Sequence, residues 1–216
     1  MSKEFHCSEN WHNRGYLPHY DAECKFQFIT YRLADSLPEK VRQRLQENSY
    51  NSMSEDEKKQ RRFLIEKTLD SGYGSCILQN PQCATIVVDE WKFFNNSRYE
   101  LIAYVVMPNH VHLVIKTYKG FTVGDLVKSW KAYTAKEIRK YFHSNGQVAE
   151  CNSALPEILQ AGNLFWQREY WDRFIRDENH FKKSIDYIFN NPVKAGLCKS
   201  IFDWKWSNSL EYFGKI

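Results

Sequence analysis

The 216-residue sequence predicts one α+β domain built on an antiparallel β-sheet with helices packed on one face. Three observations point there. Runs alternating with period two are separated by longer stretches at helical spacing, a tight Pro-Asn connection joins two β-rich runs, and no internal repeat or Pro/Gly/Ser-rich linker divides the chain.

Lys25 to Leu33 alternates Phe26, Phe28 and Thr30 with Gln27, Ile29 and Tyr31 and reads as a strand. Pro38 opens a short charged helix. After a polar break, Ser54 and Glu57 form a capping box for a second charged helix running to about Leu69 and stopped by Ser71-Gly72. Both helices have few apolar anchors, so the stretch at about 37–71 is expected to be an insertion lying on the core. A helix from Pro81 to Phe94 comes next, then strands Tyr99–Val106 and His110–Thr117 across Met107-Pro108-Asn109, an antiparallel hairpin. Thr122, with Asp125 at the capping-box position, starts a long helix to about Phe142. Leu164 to Ile175 is a strand or hairpin, and Asp177 caps a helix expected to end near Asn190, because Pro192 disfavours continuation. With the insertion set aside, this order suggests a ferredoxin-like sandwich.

Composition narrows the function classes. A hydrophobic fraction of 43% with 16% aromatic residues excludes a disordered chain. The longest apolar run, Leu101 to Met107, is far short of a membrane span. The polar segment 1–13 shows no secretory signal, so a cytoplasmic protein is expected, with its six cysteines reduced. A net charge of +4 permits nucleic-acid binding without arguing for it, so charge placement has to decide.

Three features can carry chemistry. His110 and His112 alternate with Val111 on a strand, so their imidazoles share a face, a half-shell for a divalent metal; two solvent-facing histidines is the competing reading. On the helix after Asp177, Phe181, Ile185 and Ile188 mark the buried stripe, whereas His180, Ser184, Tyr187 and Asn191 share a polar face. Tyr187 and Asn191, one turn apart, can reach one point in space, and a tyrosine can act as a covalent nucleophile; Tyr187 as a packing residue is the alternative. Finally, Lys128 and Lys131 on the long helix, with Arg168 and Arg173 among Phe165, Trp166, Tyr170 and Trp171, interleave cations with rings. That pattern suits single-stranded nucleic acid, and equally a solvated helix face beside a core.

Taken together these residues describe phosphoryl transfer on nucleic acid. YVVMPNHVHLVIK, followed by FWQREYWDRFIRDENHFKKSIDYIFNNPVKAGL, resembles the REP-associated tyrosine transposases of the single-tyrosine HUH (His-hydrophobic-His) nuclease superfamily. With RGYLPHYD and QFITYRLADSLP upstream, the resemblance covers roughly 14–212, taken as one transposase-like domain. It implies His110, His112 and Asn191 as ligands of Mg²⁺ or Mn²⁺, Asn191 standing where compact relatives have glutamine. It further implies Tyr187 as the nucleophile that leaves a 5′-phosphotyrosine and a free 3′-hydroxyl. Expected phosphate contacts are Lys128, Lys131, Arg168, Arg173, Lys183 and Lys194, with Trp166 as a base platform, and Lys183 is expected to lower the Tyr187 pKa. The implied partner is single-stranded or hairpin DNA, with no nucleotide cofactor and no membrane, and a monomer is favoured. The alternative is a domesticated hairpin-binding protein without transposition; an RNA-binding module and a zinc hydrolase fit less well, lacking an RNP1-like run and an HExxH helix.

Overall fold

The computed structural model describes residues 11–13, 18–20, 25–46, 52–144, 156–160 and 162–214. The expected domain start at Arg14 lies outside them, as do Cys7, Cys24 and Cys151; Cys76, Cys83 and Cys198 carry free thiols. Strands β1 (Trp11–Asn13) and β2 (Pro18–Tyr20) form a separate antiparallel pair. The main sheet holds β3 (Phe26–Arg32), β4 (Tyr99–Val106), β5 (His110–Thr117) and β6 (Trp171–Phe174) in the spatial order β4-β5-β3-β6, every neighbour antiparallel. That order is ferredoxin-like, as expected.

Six helices occur among the described residues: α1 (Glu39–Gln46), α2 (Glu55–Asp70), α3 (Pro81–Phe93), α4 (Val123–Ser144), α5 (Glu178–Lys194) and α6 (Ser209–Phe213). Their starts follow local chemistry. Ser54 and Glu57 close the capping box of α2, Asn80 caps α3 with Pro81 in its first turn, Thr122 Oγ1 accepts from the Asp125 N–H, and Asp177 accepts from the His180 N–H at 2.8 Å.

Two expectations need correction. The helix α5 passes through Pro192 to Lys194 rather than stopping near Asn190. Proline lacks the N–H of one helical bond, but the next turn is closed by Ala195 N–H to Asn191 C=O at 3.0 Å and Leu197 N–H to Pro192 C=O at 2.9 Å. The stretch 164–175 is a strand only from Trp171; before it, pairing is reduced to an isolated bridge between Leu33, just past β3, and Trp166, closed by Ala34 N–H to Phe165 C=O and Gln167 N–H to Arg32 C=O, both 2.9 Å. Phe165 and Trp166 are buried there, and their packing takes the place of the ladder.

Strand parity divides the interior into two layers. Ile29, Tyr31, Val111, Leu113 and Ile115 face α3 and α4, where Trp91 and Trp130 are fully buried. Trp91 Nε1 donates to the Tyr31 hydroxyl at 3.0 Å, which pairs the polar ends of these two buried rings. On the other side Phe28, Ala103, Val105 and Val114 pack against Ile185, Ile188 and Phe189 of α5. Helices thus cover both faces: α3 and α4 occupy the expected one, and α5 adds a layer on the other. The inserted α1 and α2 are anchored by a small separate cluster, Leu37, Leu45 and Leu69 with Val41 and Ile65.

Glu90 on α3 is 5% exposed, and burial pushes its carboxyl up to about 7, with Arg98 opposing in part. The folded protein therefore holds a proton that the unfolded chain releases near its ordinary value of 4.5. Its contribution is complete below that value and falls as pH rises through about 7. Glu90→Gln is expected to flatten this fall, so that urea midpoints measured at about pH 5 and about pH 8 lie closer together than in the wild type.

Candidate active site

Four of the residues marked by the sequence converge on the α5 side of the sheet. Thr30 stands opposite His112 in the β3–β5 ladder, and its Oγ1 lies 2.7 Å from His112 Nδ1. Asn109, in the hairpin connection, donates Nδ2 to the carbonyls of Leu69 and Tyr73 at 3.2 and 2.9 Å. Its oxygen therefore faces His110 Nδ1, 2.7 Å away, and that nitrogen carries the donated proton. The two imidazole centroids are 4.8 Å apart. Both rings are buried, at 1% and 3% exposure, because α2 and α5 roof this face, which goes against the competing reading of solvent-facing histidines. Burial, then Arg32, lowers the His110 pKa to about 3; burial, then His110, lowers that of His112 well below its usual value. Both rings are neutral, the form that can ligate.

Helix α5 brings the other two. The Tyr187 ring lies 5.1 Å from that of His112 and 5.8 Å from that of Phe28, and Lys194 Nζ sits 5.1 Å from its centroid. Asn191, one turn on, acts on Tyr187 in the sense that favours the phenolate. Asn191 Oδ1 and His112 Nε2 are both buried and meet no hydrogen-bond partner among the described residues. Two orphaned buried lone pairs beside a second neutral imidazole fit a divalent cation. No cluster of three or more His, Cys, Asp or Glu suited to a metal occurs among the described residues.

Sequence reasoning missed the roof. Arg62, Ile65, Glu66 and Leu69 recur at helical spacing and form the inner face of α2, with Asp70 beside them. Glu66 lines the same cavity as Tyr187. Burial first, then Glu66 and Asp70, raise the Tyr187 hydroxyl above the ordinary phenol range, the reverse of the lowering expected from Lys183. The signal was present in the 3–4 spacing, but solvent-side pairs such as Glu55–Lys58 and Asp56–Lys59 on the same helix masked it.

The expected DNA contacts separate into two regions. Arg173 and Lys183, both exposed, line an open groove running from Tyr187, joined there by Arg176 and His180, which sequence reasoning left out. Lys194 belongs to the Tyr187 neighbourhood. Lys128 and Arg168 line a different groove, beside α4 on the other layer. Two residues there are structural. Lys131 Nζ donates to the carbonyls of Gln167, Arg168 and Glu169 at 2.8, 3.0 and 3.5 Å, so its donors are spent inside the chain. Trp166 is 4% exposed and its Nε1 donates to Thr134 Oγ1, so it offers no ring face to a base.

A ferredoxin-like sheet carrying a buried histidine pair opposite a helical tyrosine defines a candidate nuclease of the tyrosine type. The family model described as "Transposase IS200 like" matches residues 83–191, half of the chain, and the chain belongs to that family. It is 32% identical over 110 residues to the REP-associated tyrosine transposase of Escherichia coli, covering 50% of this chain and 53% of that protein. A Haemophilus influenzae protein whose name also contains REP-associated tyrosine transposase is 28% identical over 115 residues, 51% of this chain and 58% of that one. The chain spans about half the length of the curated relatives it matches. A solved structure of a REP-associated tyrosine transposase bound to a REP hairpin has the same fold, with a TM-score of 0.51 at 17% identity, over 91% of this chain and 84% of that one. No described helix is long and apolar enough to cross a membrane.

Lys131→Ala strands backbone acceptors that the ammonium now satisfies. It is expected to destabilise the protein by about 2 kcal/mol, whereas the exposed Lys128→Ala stays within about 0.5 kcal/mol, both read from urea unfolding.

Proposed function

We propose that the protein is a metal-dependent endonuclease and strand transferase for single-stranded DNA, working at hairpin-associated sites through a 5′-phosphotyrosine intermediate. The observation that carries this reading is that His112 Nε2 and Asn191 Oδ1 are both buried and without partners among the described residues, on side chains that each neighbour Tyr187. Family membership supports the reaction class, and the relatives named as REP-associated transposases support hairpin DNA as substrate.

The residues divide the work. His110, His112 and Asn191 are the ligands of the metal, Mg²⁺ or Mn²⁺, which supplies Lewis acidity to a phosphate oxygen when bound. Asn109 and Thr30 fix the ring orientations and direct Nε2 inward. Tyr187 attacks the phosphorus in line; its oxygen becomes esterified to the 5′ side and the 3′-oxygen departs. Return attack by that hydroxyl or by another 3′-end rejoins DNA without ATP, because the ester energy is kept in the tyrosine link. Asn191 favours the Tyr187 phenolate, and Lys194 Nζ lies 5.1 Å from the centre of its ring. Arg173, Arg176 and Lys183 give the strand a cationic path away from the tyrosine.

The test uses hairpin oligonucleotides from the flanks of the protein's own gene, incubated with Mn²⁺ or EDTA and run on a denaturing gel. Wild type with Mn²⁺ is expected to give a protein–DNA adduct; EDTA and Tyr187→Phe are each expected to abolish it. Tight binding with no adduct from any hairpin identifies a hairpin-binding protein instead. Thr30→Val removes the His112 partner and is expected to weaken Mn²⁺ binding about 10- to 100-fold by calorimetry on the DNA-free protein. Unchanged Mn²⁺ affinity would take Thr30 out of the metal site.

A further inference from the structure

A single strand of DNA is held where cations meet its phosphates and rings meet its unstacked bases. The groove leading to Tyr187 has the cations, in Arg173, Arg176 and Lys183. Trp166, expected as its ring, is sealed into the other layer. Among the described residues, three rings line both the histidine cavity and the open groove: those of Phe28, Trp171 and Tyr187. Phe28 is 6% exposed, too covered to receive a base, and Tyr187 is the proposed nucleophile. Trp171 is only half-buried, and it is the ring left to meet a base at the mouth of the site.

We propose that Trp171 is a stacking platform for a base beside the scissile phosphate, and so fixes where along the strand Tyr187 attacks. The inference rests on the tyrosine-nuclease reading above and adds a DNA contact from outside the histidine and tyrosine motifs. Trp171 and Arg173 stand opposite Thr30 and Phe28 in the β3–β6 ladder, so both point to the α5 side. Thr30 stands opposite His112 in turn, and one cross-strand row therefore carries the indole, the threonine and the histidine. Strand β6 ends the sheet on that side, so the row runs from the roofed histidine out to the sheet edge.

The indole is held close to the chemistry. The Phe28 ring lies 5.6 Å from that of Trp171, 5.6 Å from that of His112 and 5.8 Å from that of Tyr187. One buried phenyl ring thus separates Trp171 from the nucleophile and from the histidine alike, so a base on the indole belongs to a nucleotide near the attacked phosphorus. The edge-on contact with Phe28, at 72°, props the indole from one side at little cost in entropy on binding. Arg173, two residues on and on the same face, puts a cation next to the ring, the alternation that a base and its phosphate need. Every base has a π-face, so this contact selects a position in the strand and not a sequence.

An abasic scan tests this. A single abasic residue is moved along a gene-flank hairpin oligonucleotide, and binding is titrated in EDTA so that the strand stays uncut. The nucleotide joined to Tyr187 is mapped separately on the unmodified hairpin with Mn²⁺. Wild type is expected to lose about 5- to 150-fold in affinity when the abasic residue stands beside the joined nucleotide. Trp171→Leu keeps an apolar contact for Phe28 but no ring. It is expected to bind the unmodified hairpin more weakly by the same factor and to lose nothing further at that position, with Mn²⁺ affinity of the DNA-free protein unchanged. Trp171→Phe, which retains a ring, is expected to recover most of the affinity and the sensitivity to that abasic position. A wild type indifferent to the abasic residue there, or a Trp171→Leu protein that stays as sensitive as wild type, would overturn the proposal and leave Trp171 a packing residue. In both cases the wild-type adduct at Tyr187 still stands; a wild type that forms no adduct at all overturns the parent reading together with this one.

Discussion

The pairing of Thr30 with His112 across β3 and β5 governs the rest of the site. Side chains alternate strictly along a strand, so a slip of one residue would carry Thr30 to the far layer and bring Ile29 or Tyr31 up to the histidine. What prevents the slip lies on the opposite side of the sheet, where Ile29, Tyr31, Val111, Leu113 and Ile115 are almost wholly buried against α3 and α4. An apolar layer that touches no reacting group thereby holds the polar geometry on the other face. Helix α5 is located by the same logic: Ile185, Ile188 and Phe189 dock on Phe28, Val105 and Val114, and that docking sets Tyr187 against His112.

Burial then decides the charge states. Removing imidazoles from water favours their neutral form, so His110 and His112 need no counter-ion beneath α2. The carboxylates of Glu66 and Asp70 are also raised by burial, and Lys194 opposes the rise at both. With Arg32, Arg61 and Arg62 on the same wall, the cavity mixes cations and anions rather than presenting one sign. A phosphodiester adds negative charge to this set, and proton uptake by a neighbouring carboxylate is one direct way to limit the repulsion.

Much of this was legible in the sequence because it is local. The strands Tyr99–Val106 and His110–Thr117 are bounded to the residue by their β-rich runs and the Met107-Pro108-Asn109 break between them, and Ser54, Thr122 and Asp177 announce helix starts by side-chain chemistry. The shared face of His110 and His112, and that of Tyr187 and Asn191, follow from period alone. What escaped depends on tertiary contact. Pro192 stays helical because the following turn supplies its own bonds within a packed helix. Lys131 and Trp166 look like nucleic-acid contacts until the carbonyls of 167–169 and the hydroxyl of Thr134 are placed beside them.

The inserted helix α2 is the instructive case, because its sequence is ambiguous on physical grounds. A charged helix with few apolar positions reads as a solvated rod, and its outer face is one: Glu55–Lys58 and Asp56–Lys59 are exposed pairs of little energetic weight. The inner face uses the same residue types in a buried setting, where each charge is obliged to find a partner. Glu66 lines the cavity with Tyr187, and Asp70 and Glu66 both feel Lys194. The backbone at the end of the helix is engaged as well, since Asn109 bonds the Leu69 and Tyr73 carbonyls with one end of its amide and His110 with the other. A displacement of α2 would therefore disturb the orientation of His110 and the cavity wall facing Tyr187 together, which makes the insertion a working wall of the site and not an appendage to the domain.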